Sequence, residues 1–293
     1  MQTQILAELR RFLNALHWIP EHYQLLPVNQ ESTNQQSTNL AFELRVTASR
    51  ETLGQTQSYL VKYLGKTDFM PFDRQCTLAL QSRLAELSLA PQPLVLSDDQ
   101  HYLVEQWVPR CPTMSRSALI DKLGVLMADL HQIDVAQANI DASALALLSH
   151  WQGYWQQLTA GSDDLWRKRA IFEHQIEALT PIWRDTELNC LCHHDLSLQH
   201  IASLENNVIY DWEYGAIGCR FFDLAHAIQV NQLTMAEQCQ LLQRYMLHLH
   251  EIHRQTQLTL DTLVCSVNRM MPLATLTNEL WWAAYQVHSS PRV

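Results

Sequence analysis

The sequence predicts an α+β fold: a small strand-rich front part followed by a large, mainly helical back part. Three observations predict it. Short runs at 40–46 and 58–64 alternate apolar and polar residues, and shorter apolar runs follow at 94–96 and 102–108. From residue 115 onward, apolar residues recur instead at helical spacing. Within that helical part lies one apolar strand pair, 188–192 and 208–210, and an Asp follows each run within three residues.

The front part opens with an amphipathic helix that places Ile5, Leu6, Leu9, Phe12, Leu13 and Leu16 on one face, with Arg10 and Arg11 outside, and Pro20 stops it. Residues 30–39, QESTNQQSTN, form a polar low-complexity patch that reads as an exposed loop. Leu40, Phe42, Leu44 and Val46 then line one face of a half-buried strand. A second strand follows at 58–64, with Tyr59, Val61 and Tyr63 on one face and Leu60, Lys62 and Leu64 on the other. Lys62 is a lone cation in an apolar strand; it either snorkels from a sheet edge or serves as a phosphate-binding lysine. Asp73 caps a helix whose apolar face is Cys76, Leu80, Leu84 and Leu87. Its first turns carry Gln75 and Thr77 and no Glu that could pair with the lysine. Two more strands, 94–96 and 102–108, lead to Pro109 and Pro112, a natural hinge.

In the back part, Leu119, Leu123, Leu126, Met127, Leu130 and Ile133 make a strong amphipathic helix, and two further helical patterns span 143–158 and 164–179. After the strand pair, Asp223 opens a helical segment, and Thr234 with Glu237 forms a capping box before a helix reaching about His253. A last helix around 278–286 carries Trp281, Trp282 and Tyr285. No internal repeat is present.

The chain's 293 residues, 47% of them apolar, suffice for a large core or two lobes. With 20 Lys and Arg against 30 Asp and Glu, the net charge of −10 argues against nucleic acid as a partner. It leaves phosphate substrates open, since a few placed cations handle those locally. The first residues lack the apolar core of a signal peptide, and no stretch approaches the roughly 20 apolar residues of a membrane span. The seven scattered cysteines then read as reduced thiols, so the chain is expected in the cytoplasm with no membrane partner. Its oligomeric state is left open.

The chemistry concentrates in 188–228. His193-His194-Asp195 follows the first apolar run and His200 closes the loop; Asp211 ends the second run, and Glu213 stands two residues on. Two carboxylates at the ends of neighbouring short strands are a common way to hold a divalent metal and phosphate. Kinases use an H-R-D-x-x-x-x-N loop and a later metal-binding Asp. The spacing H-x-D-x-x-x-x-H is kept here from His193 to His200, with His in the last position. The CLCHHD run invites a zinc reading, but Cys190, Cys192, His193 and His194 are too close in sequence for ordinary ligand geometry, and His193 reads better as a buried brace.

These residues resemble the choline kinase, thiamine kinase and aminoglycoside phosphotransferase superfamily, nearest its choline-kinase-like branch. The resemblance spans nearly the whole chain. It is carried by VEQWVPR at 104–110, similar to the hinge of choline kinases, by HHDLSLQH at 193–200, similar to the catalytic loop, and by YDWEYGAIGCRFFDLAHAI at 210–228, similar to the metal-binding segment and following helix. Weaker matches are QQSTN at 35–39, against a Gly-rich phosphate loop, and MADLHQID at 127–134. The resemblance implies a protein-kinase-like two-lobe fold, with a nucleotide-binding lobe over 1–107 and a helical catalytic and substrate lobe over 108–293. It also implies ATP-dependent, Mg²⁺-assisted phosphoryl transfer to a hydroxyl of a small acceptor. Asp195 would be the catalytic base. Asp211 and His200 would hold the metal, and Lys62, Ser37, Thr38, Asn39, Glu105 and Trp107 the nucleotide. Glu213, Trp281, Trp282 and Tyr285 would meet the acceptor, since aromatic faces attract quaternary ammonium. The acceptor is expected to be cationic: choline, ethanolamine or thiamine-like.

The sequence departs from the family pattern in three places. His200 stands where a metal-binding Asn is usual, Gln35 and Gln36 stand where glycines let backbone close on phosphate, and the helix-borne Glu is missing. The alternative reading is a pseudokinase-like protein that binds a nucleotide or metabolite with little or no transfer.

Overall fold

The computed structural model describes residues 2–17, 19, 23–28, 40–47, 56–65, 73–110, 114–158, 163–252 and 257–289. Helix α1 (Gln2–Ala15) buries Ile5, Leu9 and Leu13, the face its apolar spacing marks. It covers an antiparallel sheet of β1 (Tyr23–Pro27), β2 (Leu40–Thr47), β3 (Thr56–Tyr63), β4 (Pro93–Leu96) and β5 (Tyr102–Gln106), in the order β1-β2-β3-β5-β4. β1 is not visible in the sequence. Its YQLLP run does not alternate, and Pro27 suits only the sheet edge it occupies.

The two-residue period sorts the sheet's side chains. Phe42, Leu44, Val46, Val61, Tyr102 and Val104 join α1 in one core. Leu60 lies opposite Glu105 and Lys62 opposite Leu103, so Lys62 and Glu105 share the other face. The edge-strand explanation of Lys62 is therefore overturned: β3 has β2 on one side and β5 on the other.

Helix α2 (Arg74–Glu86) starts where Asp73 accepts hydrogen bonds from the Gln75 and Cys76 backbone N–H groups, both at 3.1 Å. Its Leu80 and Leu84 are buried in the larger core, whereas Cys76 and Leu87 are exposed, so the apolar face is narrower than expected.

That larger core is built by α3 (Arg116–His131), α4 (Leu147–Gln157), α5 (Asp163–Arg184), the two-stranded sheet of β6 (Cys190–Cys192) and β7 (Ala216–Gly218), α6 (Arg220–Val230), α7 (Met235–Ile252) and α8 (Leu260–Ser289). Gly124 on α3 permits close packing on α7; a Cβ there would lie 3.0 Å from the Tyr245 backbone nitrogen. α8 is far longer than the 278–286 expected. Leu263, Val267, Met270, Leu273, Leu276, Leu280 and Ala284 keep one buried stripe running past Pro272, whose ring is exposed. None of the described helices is long and apolar enough to cross a membrane.

One strand pairing differs from expectation. β6 pairs with β7, not with 208–210, and Ile209 makes only an isolated bridge to Ile201. The backbone of 208–210 is spent elsewhere. The Val208 carbonyl accepts from Ala202, Ile209 N–H donates to Leu89, and Tyr210 N–H donates to His200.

Candidate functional site

Two turns in the larger lobe bring the acidic residues together. The first follows β6. Buried Asp223, in the first turn of α6, accepts hydrogen bonds from the backbone N–H of His193 (3.2 Å) and of His194 (2.7 Å). It also faces Nε2 of His131 on α3 at 3.0 Å, while the other His131 ring nitrogen meets the Tyr245 hydroxyl at 3.1 Å. Burial alone would raise the Asp223 pKa, but the His131 hydrogen bond and the surrounding histidines hold it below the usual carboxylate range. Held this way, His194 adopts φ 62° and the chain turns so that Asp195 emerges. Gly218 makes room for the turn, because a Cβ there would come within 2.2 Å of the His194 ring.

The second turn carries Asp211, also left-handed at φ 65°, into a short 3₁₀ turn at Trp212–Tyr214. One imidazole ties the two turns together. Nε2–H of fully buried His193 donates to the Tyr210 carbonyl at 2.9 Å, and its Nδ1 accepts the Asp195 backbone N–H at 3.3 Å. Burial pushes the His193 pKa down to about 4, so the ring is a neutral brace at pH 7.

His200 is placed by the same logic. Its Nδ1 lies 2.9 Å from the Asp195 carbonyl, which can only accept, so Nδ1 carries the proton. The lone pair on Nε2 then points at Asp211 Oδ2, 3.7 Å away. Burial lowers the His200 pKa despite the Asp211 charge, so two electron-pair donors converge on one gap. That donor set fits a divalent cation. Asp211 offers the hard oxygen Mg²⁺ prefers, and the imidazole adds a nitrogen better suited to Mn²⁺ or another transition metal.

Asp195, His200, Asp211 and Glu213 line one cavity of about 530 Å³, together with Trp281 and Trp282 of α8. Further lining comes from Tyr154 and His150 of α4, Tyr214, His226 and Asn278. Burial, with Asp211 and Glu213 nearby, raises the Asp195 pKa well above its usual value. Burial and Asp211 likewise push Glu213 up to about 8. Asp211 goes the other way: burial opposes its charge, but Lys62, at 3.6 Å from Oδ1, holds its pKa down. Burial keeps His150 and His226 neutral, with pKa values near 4.

Trp281, Trp282 and Tyr285 stack on one another; the Trp281 and Tyr285 rings lie 5.2 Å apart and 3° from parallel. Tyr285 is not part of the cavity lining; it backs Trp281. In the smaller lobe, Lys62 Nζ sits 3.0 Å from Glu105 Oε1. Glu105 is thus fully buried within the sheet, opposite Leu60 on β3 and Pro93 on β4, and does not stand at an open hinge edge. Trp107, half-buried, directly follows β5. Ser37, Thr38, Asn39, Gln35 and Gln36 lie outside the described residues.

Sequence reasoning missed His150, Tyr154, Tyr214 and His226, whose spacing shows only helix or turn; the fold alone brings them to the cavity. It did not foresee which histidine approaches Cys190 and Cys192, which are free and buried. As i, i+2 residues on one strand, Cys190 and Cys192 share a face, their sulfurs 3.5 Å apart, with His131 beside them. Both His131 nitrogens are already engaged by Asp223 and Tyr245, which leaves this cluster without a free imidazole ligand.

The sequence model of the phosphotransferase enzyme family matches residues 71–258. No curated protein sequence matches the chain. Among solved structures, the chain is similar in fold to an ethanolamine kinase of Plasmodium vivax, with a TM-score of 0.70 at 15% identity over 94% of this chain and 80% of that one. The choline kinase LicA of Streptococcus pneumoniae gives 0.66 at 15% identity, over 99% and 94%. An aminoglycoside phosphotransferase of Streptomyces rimosus gives 0.58 at 14% identity, over 94% and 98%. The expected protein-kinase-like two-lobe architecture is the observed one.

Proposed function

We propose, from the premise that the chain belongs to the phosphotransferase enzyme family, that it moves the terminal phosphoryl group of ATP to the hydroxyl of a small cationic acceptor of the choline, ethanolamine or thiamine type. The observation that carries this reading is that Asp195, Asp211 and Glu213 line the same cavity as Trp281 and Trp282. Nucleotide use is also in keeping with LicA, a structural neighbour crystallised with AMP.

Asp195 accepts the acceptor's hydroxyl proton as the oxygen attacks the γ-phosphorus and the bond to the departing ADP oxygen breaks. Its raised pKa suits a base that must take a proton. Lys62 offsets phosphate charge near Asp211. Asp211 and His200 would hold a divalent cation, which would supply positive charge to neutralise the phosphates. Trp281 and Trp282 offer ring faces to a quaternary or protonated amine, a contact worth roughly 0.5–2 kcal/mol. The acceptor's positive charge also offsets the crowded carboxylates.

The test is acceptor-dependent ADP release across amino alcohols, thiamine and aminoglycosides. Stimulation by at least one small cationic alcohol is expected; stimulation by aminoglycosides alone would move the acceptor assignment.

Two expected results follow from the site. Glu213 has a pKa near 8 and gains its charge as pH rises through that value. Affinity for a permanently cationic acceptor should therefore increase by up to about tenfold between pH 7 and 9. Calorimetric titration with choline at both pH values checks this, and Glu213→Gln should flatten the dependence. His200→Asn replaces a nitrogen donor by oxygen. It should shift the Mn²⁺-to-Mg²⁺ affinity ratio roughly tenfold toward Mg²⁺, read by displacement of protein-bound Mn²⁺ in paramagnetic resonance. Mg²⁺-dependent turnover should rise with it.

A further inference from the structure

Helix α2 offers Lys62 no carboxylate. Its acid is Glu86, exposed near the C-terminal end and paired with Arg83. The nearest charge to Lys62 is Glu105 on β5, 3.0 Å away and fully buried, with Asp211 of the larger lobe farther off at 3.6 Å. The ladder brings Lys62 and Glu105 together: Lys62 faces Leu103 and Glu105 faces Leu60, so they are diagonal neighbours on one sheet face. The second Glu105 oxygen accepts from Gln81 Nε2 of α2 at 2.9 Å, and the same nitrogen reaches the Pro91 carbonyl at 2.9 Å. The helix thus contributes a neutral amide where a kinase-type fold would otherwise place its acid.

We infer that Glu105 is the positioning residue for Lys62, and that a strand-to-strand pair, with no acid from α2, presets the phosphate-binding lysine. This rests on the phosphotransferase reading above. A pair fixed by backbone hydrogen bonds between adjacent strands keeps its geometry when a neighbouring helix shifts. A strand-to-helix pair would break and give a switch.

The experiment uses the full chain without nucleotide and follows acylation of Lys62, one of four lysines, by mass spectrometry at pH 8–9. Glu105→Gln should speed Lys62 labelling at least tenfold and weaken ATP binding about tenfold, with adenosine binding unchanged. Gln81→Ala, which removes the helix contact only, should change Lys62 labelling less than twofold. Unchanged labelling in Glu105→Gln, or a tenfold rise in Gln81→Ala, overturns the inference. If Glu105→Gln does not fold, Glu105→Asp carries the same test, with a smaller rise supporting it and no rise opposing it. The labelling needs no nucleotide. Failure of the unaltered chain to bind ATP would therefore sink the phosphoryl-transfer reading separately, while labelling still judges the pairing.

Discussion

Asp195→Asn is expected to lower turnover by about 10²–10⁴, the usual contribution of a positioned general base. Nucleotide affinity should stay within about twofold, because the role proposed for Asp195 is at the acceptor and not at the phosphates. The same variant should melt at or above the temperature of the unaltered chain. Burial and the neighbouring Asp211 and Glu213 raise the Asp195 pKa above its unfolded value. The group therefore costs stability once pH exceeds the unfolded carboxylate pKa, and removing its charge relieves that cost at pH 7. Loss of activity with no loss of stability marks a residue kept for chemistry. Steady-state ADP release and a thermal melt on the same preparation check both halves.

Asp223→Ala is expected to do the opposite, reducing stability by roughly 3–5 kcal/mol and taking activity with it. The carboxylate satisfies three donors at once: the His193 and His194 backbone N–H groups and the His131 ring. Truncation orphans all three in a site sealed from water. For a chain of this size a melting point lower by ~10 °C is expected. Asp223→Asn keeps an acceptor and should lose about half as much. The sign with pH is also fixed. The folded Asp223 pKa lies below its unfolded value, so its stabilisation is present above about pH 4 and is lost as pH falls toward the folded value. Asp223→Asn should therefore flatten the acid limb of the stability curve, measured by urea unfolding between pH 3 and 7.

The contrast between these two aspartates also shows what a sequence discloses. Periodicity made the two lobes legible. The alternation at 40–46 gives β2, the apolar stripe from Leu119 to Leu130 gives α3, and the capping box at Thr234 and Glu237 opens α7 as expected. Asp195, His200, Asp211 and Glu213 stand within 19 consecutive residues, and the fold gathers them at one cavity as their spacing suggested. Long-range pairings were not legible. Nothing local distinguishes 208–210 from 216–218 as the partner of β6. Only the backbone hydrogen bonds to Leu89 and His200 decide it. Glu105 read as part of a hinge because VEQWVPR resembles that of choline kinases, a reading that said nothing of its side chain, which is committed inward to Lys62. α8 was placed only around 278–286, whereas buried residues on both sides of Pro272 carry one helix from Leu260 to Ser289. The lining from α4, His150 and Tyr154, carries no motif at all, because helix packing alone supplies that contact.

Phosphorus magnetic resonance of the full chain with ATP, a divalent cation and choline or another small cationic alcohol tests the central claim most directly. The γ-phosphate signal should disappear as an equal phosphomonoester signal grows, only when acceptor is present and not in Asp195→Asn. ATP that binds yet stays intact with every acceptor and with both Mg²⁺ and Mn²⁺ would contradict the account and make the cavity a binding site without transfer.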